Sequence, residues 1–144
     1  MIVFADSSAL ASRYSPSEYD VVPADCAIAV SAIARVEVVS ALWRQARDGV
    51  IAFEDAGTLA REFVADYQGT TNEARAYQPV GASRVVLERA AGLAAMHGLR
   101  TLDAIQLASA LAARRLEPEC RTMVVLDQRL RRAAAAEGFE LLPA

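Results

Sequence analysis

Ile2-Val3-Phe4-Ala5-Asp6-Ser7-Ser8 runs an apolar segment straight into a carboxylate and two hydroxyls. A continuous apolar run of this length suits a strand buried on both faces, as in a parallel sheet covered by helices. Such a strand ends in the crevice where α/β proteins place their ligands, so Asp6 is expected at its mouth. Met123-Val124-Val125-Leu126-Asp127 repeats the arrangement late in the chain. An exposed loop could carry a charge anywhere, so solubility does not explain two buried strands that each end in Asp. The pair poses the question of what their carboxylates share.

Composition narrows the answer. A chain of 144 residues is most economically one domain, here 1–144. A chain of that size buries about 68–70% of its unfolded surface and needs no disulfide or structural metal to hold a core. The hydrophobic fraction is 54% with few aromatics, and alanine makes up much of the difference, which suggests closely packed helices. Cys26 and Cys120 lack metal-ligand spacing and are read as reduced thiols. No apolar run reaches the ~18 residues of a membrane span, and no charged lead into a signal sequence is seen, so a soluble cytoplasmic protein is expected. All 15 basic residues are arginine. Without lysine there is no Walker loop, receiver domain or haloacid-dehalogenase-type phosphatase, and no Schiff-base chemistry. A phosphatase-like use of Asp6 as nucleophile is disfavoured on the same ground. His97 is the sole histidine, so paired-histidine acid–base chemistry is unavailable, and a helix-terminal role suits it better.

Along the chain, Ala9–Tyr14 predicts a short helix capped by Ser7 or Ser8, broken at Ser15-Pro16-Ser17. Glu18–Asp25 supports at most a helical turn, and Cys26–Val30 reads as a second buried strand. Ser31 is expected to cap a helix to about Arg47, with Ile33, Val36, Ser40 and Trp43 as its apolar stripe and Glu37 at the stripe's edge. Glu54 and Asp55 open a further helix. Ala76–Val80 is a weak strand, placed at an edge by Pro79. Ser83 caps a helix closed by Gly98. Thr101 is expected to cap one running to about Arg114, almost wholly apolar except for Asp103. Thr122–Leu126, a helix from Asp127 to Glu137 and a strand at Phe139–Leu142 complete an alternating pattern. The expected fold is α/β, a mostly parallel sheet of four to five strands with helices on both faces.

Four carboxylates stand out by position: Asp6, Glu37, Asp103 and Asp127. Taken singly, Asp6 and Asp127 are equally well read as helix caps, Asp103 as a first-turn acid and Glu37 as a solvated helix residue. Taken together, sheet topology can bring them into one crevice, where uncompensated charges raise each other's pKa. A divalent cation resolves that repulsion, and all-oxygen donors suit Mg²⁺ or Mn²⁺ rather than zinc. If four of the 18 acids hold metal, 14 remain against 15 arginines, and the net charge of −3 no longer excludes a nucleic-acid partner. Arg129, Arg131 and Arg132 read equally as phosphate contacts or as a solvated face, and Arg100 as facing substrate or covering the core.

The chain resembles the PIN-domain family over nearly its whole length, and within it the VapC-type toxins of bacterial toxin–antitoxin pairs. The resemblance is carried by Phe4-Ala5-Asp6-Ser7-Ser8-Ala9-Leu10, Ser31-Ala32-Ile33-Ala34-Arg35-Val36-Glu37, Leu99-Arg100-Thr101-Leu102-Asp103-Ala104-Ile105-Gln106-Leu107-Ala108 and Leu126-Asp127-Gln128-Arg129-Leu130. It implies a PIN-like three-layer sandwich and a Mg²⁺- or Mn²⁺-dependent endoribonuclease. It also implies a homodimer held inactive by a cognate antitoxin. Asp6, Glu37, Asp103 and Asp127 fall on the family's acidic quartet, with Asp6 and Asp103 foremost as metal ligands. Ser8 falls on the hydroxyl that assists there. Val125 stands where the family often has Thr or Ser, and the stretch from Pro16 to Cys26 is shorter than the helix usually found there. Those departures favour an alternative: a PIN-like module that binds RNA or protein without cutting.

Overall fold

Val3 and Ala5 point to one face of a sheet and Phe4 to the other, and all three are fully buried. In the computed structural model, which describes all 144 residues, this strand is β1 (Ile2–Ala5). It pairs on both edges, with β2 (Ala27–Ser31) and with β4 (Thr122–Val124). β3 (Gln78–Val80) lies outside β2 and β5 (Glu140–Leu142) outside β4, giving the order β3-β2-β1-β4-β5 with every pairing parallel. Parallel neighbours require long crossovers, and helices supply them. Helices α1 (Ser7–Ser12), α2 (Ala34–Arg47) and α3 (Phe53–Gln68) precede β3. Helices α4 (Arg84–His97) and α5 (Thr101–Leu116) precede β4, and α6 (Gln128–Ala136) precedes β5. One apolar cluster packs Val3, Ala5, Val30 and Val124 against α1–α3, and the other packs Phe4, Met123 and Val125 against α4–α6. The molecule is a three-layer α/β sandwich, consistent with the PIN-like arrangement.

Edge and helix-end chemistry follows the sequence in several places. Pro79, which cannot donate to a ladder, sits in the edge strand β3. Ser83 Oγ accepts from Val86 N at 3.3 Å, and Gly98 closes α4 in the left-handed region (φ 63°). Cys26 and Cys120 are free thiols. His97 Nε2 meets Glu137 Oε2 at 3.0 Å, tying the end of α4 to the end of α6.

Other local expectations need correction. Asp6, not Ser7 or Ser8, caps α1. Ser31 is the last residue of β2, and α2 begins only at Ala34, with no side-chain cap. Neither does Thr101 cap α5, since it is already helical. The buried stripe of α2 is Ala34, Val38, Leu42 and Ala46, while Val36 is 68% exposed. α2 packs against α1 and α3, and its small alanines let those helices approach closely along that stripe, which leaves Val36 on the outer side. Residues 16–26 form no helix, in agreement with the short stretch read from the sequence. They are held instead by Arg13, which donates to Asp20 Oδ2 (3.1 Å), Val22 O (3.1 Å) and Pro23 O (3.2 Å).

Candidate active site

The chain leaves β1 to build one side of the sheet and returns through β4 to build the other, so the topological switch point lies between these two strands. Ligands of open α/β sheets bind outside the carboxyl ends of the strands at that point. Asp6 directly follows β1 there, its backbone N–H donating to Val124 O of β4 at 3.0 Å. Asp127 follows β4 and caps α6, with Oδ2 accepting from Leu130 N at 2.9 Å. The capping role of both residues is therefore real, and it is also what fixes their carboxylates at the crevice.

Asp6 is 4% exposed, and its Oδ1 accepts from Ala9 N at 2.9 Å. Burial pushes its carboxyl up to about 7. The Ala9 N–H works against that rise, while the negative charges of Asp103, Glu37 and Asp127 add to it. One buried acid thus senses all three others, although they enter from three different helices. Asp103, in the first turn of α5, is raised as well, by burial first and then by Asp127, with Arg100 opposing and Glu37 adding. Its Oδ2 is buried without a hydrogen-bond partner.

Glu37 lies in the first turn of α2, and Gln106 of α5 sets its position. The amide of Gln106, only 2% exposed, donates from Nε2 to Glu37 Oε1 (2.9 Å) and to Ser7 Oγ (2.6 Å). Three elements, α1, α2 and α5, are joined through one nitrogen. Gln106 Oε1 has no partner. Ser8 is exposed and lines the adjoining cleft with Glu37.

Arg100, 75% exposed, hangs over the acids, with Nε 3.5 Å from Asp103 Oδ2 and Nη2 4.0 Å from Asp127 Oδ1. A cation is already drawn to the place where the carboxylates repel. No three His, Cys, Asp or Glu side chains stand close enough together to form a metal-holding group. The chemistry of the donors still fits a hard divalent cation: oxygen only, mutually repelling, with a buried Asp103 oxygen that has no hydrogen bond and only the exposed Arg100 beside it.

No family model and no curated protein matches this chain.

The arginines divide by what they touch. Arg131 donates to three carbonyls, Val125 (2.6 Å), Leu142 (3.3 Å) and Pro143 (2.7 Å), and so pins the C-terminal strand to β4. Arg129 and Arg132 are exposed. Sequence reasoning did not single out Gln106, Ser7 or Arg44 as site residues. Gln106 carried a signal, an amide flanked by Ala104, Ile105, Leu107 and Ala108 in a mostly apolar helix, and Arg44 carried one in its helical spacing from Glu37.

Proposed function

We propose that this chain is a metal-dependent endoribonuclease of the PIN-domain, VapC-toxin kind. The observation that carries the reading is Asp6: a buried carboxyl at the sheet's switch point that feels Glu37, Asp103 and Asp127 together. Asp6 and Asp103 would hold Mg²⁺ or Mn²⁺ directly, Glu37 directly or through water, and Asp127 outermost. When bound, the ion supplies an acidified water and positive charge against the charge developing on the scissile phosphate. The chain's own groups do the rest. Gln106 occupies Oε1 of Glu37 and fixes its rotamer, which would leave Oε2 to face the ion directly or through its water. Ala9 N–H holds Asp6 in place, and Ser8 offers a hydroxyl at the cleft. Arg100 and Arg129 are the arginines proposed to meet RNA phosphates. A cognate antitoxin and a homodimer belong to this reading through the resemblance.

The direct test is cleavage of a labelled RNA by purified protein in Mg²⁺ or Mn²⁺ and in excess EDTA. Cutting should require metal and disappear in Asp6→Asn and Asp103→Asn, both still folded. Equal cutting in EDTA would overturn the proposal. One observation favours the second reading, a module that binds without cutting: Arg100 already partly neutralises Asp103 and Asp127. Calorimetric titration with Mg²⁺ or Mn²⁺ separates the two. RNA binding that persists without metal and never yields products selects the module.

A further inference from the structure

Arg44 stands seven residues beyond Glu37 on α2, about 10 Å along the helix axis. It is exposed, and none of the chain's ion pairs uses it. It lines both clefts beside the acids. One, of about 220 Å³, adds Ser8, Ser40, Val36 and Leu102; the other, of about 470 Å³, adds Arg100 and Asp103. The rim is unusual for so polar a place, since Val36 is 68% and Leu102 49% exposed. A position in the last turn of α2 answers the helix dipole, but Arg47 does that equally and reaches neither cleft.

We propose that this cleft is a subsite for a nucleotide flanking the cleaved bond, with Arg44 holding its phosphate and Val36 and Leu102 packing on its base. The inference rests on the nuclease reading above and names the form of its substrate. The distance from Glu37 puts Arg44 beside a neighbouring phosphate rather than the scissile one. A planar fork with no protein partner suits a phosphate. An apolar rim can pack on a base only if that base is unstacked, which selects single-stranded RNA over duplex. Arg44 is therefore a substrate-binding residue with no part in the bond-breaking step.

The test measures binding of a labelled random-sequence single-stranded RNA in Mg²⁺ by anisotropy across a salt series. The Asp6→Asn background is used so that the RNA stays intact. Arg44→Ala should weaken binding about threefold at moderate salt and lower the slope of log affinity against log salt by about 0.7, one phosphate contact. Arg44→Lys should keep the slope, and Arg47→Ala should leave both affinity and slope unchanged. Duplex RNA should compete poorly. If Arg44→Ala and Arg47→Ala behave alike, or if duplex competes as well as single strand, the subsite is overturned while the nuclease reading stands. If RNA binds to none of these proteins, both fall.

Discussion

Asp6 ionises near pH 4 in an unfolded chain and only at about 7 in the folded, metal-free one. Between those values the folded state holds the proton that the unfolded state has lost. The derivative of unfolding free energy with pH is then negative, so Asp6 lowers stability progressively as pH rises from about 4 to 7. Asp103 moves in the same direction. In EDTA, the difference in stability between Asp6→Asn and the parent should grow across this window, by up to about 4 kcal/mol in favour of the variant. Asparagine keeps the acceptor for Ala9 N–H, so the cap survives. Urea unfolding at pH 5 and pH 8 measures the difference, and parallel pH profiles would show that Asp6 carries no such penalty. The acids were legible in the sequence only as a set. Singly, Asp6 and Asp127 read equally well as helix caps, which they are, and it was four such positions together that pointed to one crevice. Gln106 was less legible. An uncharged amide gains its role only when Ser7 and Glu37, 99 and 69 residues away, arrive beside it.

Helices and strands were legible as elements, while their ends and faces were less so. Ser83 announces the start of α4 correctly, because an extended residue with a free hydroxyl precedes the turn. Ser31 and Thr101 carry the same chemical signal, but β2 claims the first and α5 has already begun at the second. Ser83→Ala is thus expected to cost about 1 kcal/mol, and Thr101→Ala to stay within about 0.5 kcal/mol; thermal unfolding of the two decides, and equal effects would refute the capping assignment. Periodicity misplaced the buried face of α2 because large residues drew the stripe toward Val36 and Trp43, whereas Ala34 and Ala46 are what the packing selects. On α6, Arg129 and Arg131 are alike in sequence and differ only in what the C-terminal strand brings near them. Arg131→Ala should cost about 2 kcal/mol, because charged donors to three carbonyls are lost. Arg129→Ala should leave stability unchanged and weaken RNA binding. A melting curve for each variant, beside RNA affinity, checks the division, and a stable Arg131→Ala that binds RNA poorly would reverse it.

Across the whole molecule, the acids come from both ends of the chain and meet only because β1 lies between β2 and β4. No single helix or hairpin holds two of them, so no fragment of the unfolded chain should reproduce the site. An ion bound there would add to the free energy of global unfolding rather than to that of one element. At a free concentration one hundred times its Kd, that addition is about 2.7 kcal/mol, or roughly 8–10 °C in Tm for a domain of this size. Mg²⁺ or Mn²⁺ is therefore expected to raise the melting temperature in proportion to the logarithm of its concentration, with EDTA restoring the original value. Asp103→Asn should abolish the shift, because its Oδ2 is buried with no hydrogen bond of its own and a neutral amide cannot replace the charge. Arg100→Ala should enlarge the shift at low metal, since its guanidinium competes for Asp103 and Asp127. Calcium offers a control on size, as it tolerates looser and larger oxygen cages than magnesium. A transition that ignores all three ions, or that moves equally in the parent and in Asp103→Asn, would mean that these carboxylates meet for some purpose other than holding a metal.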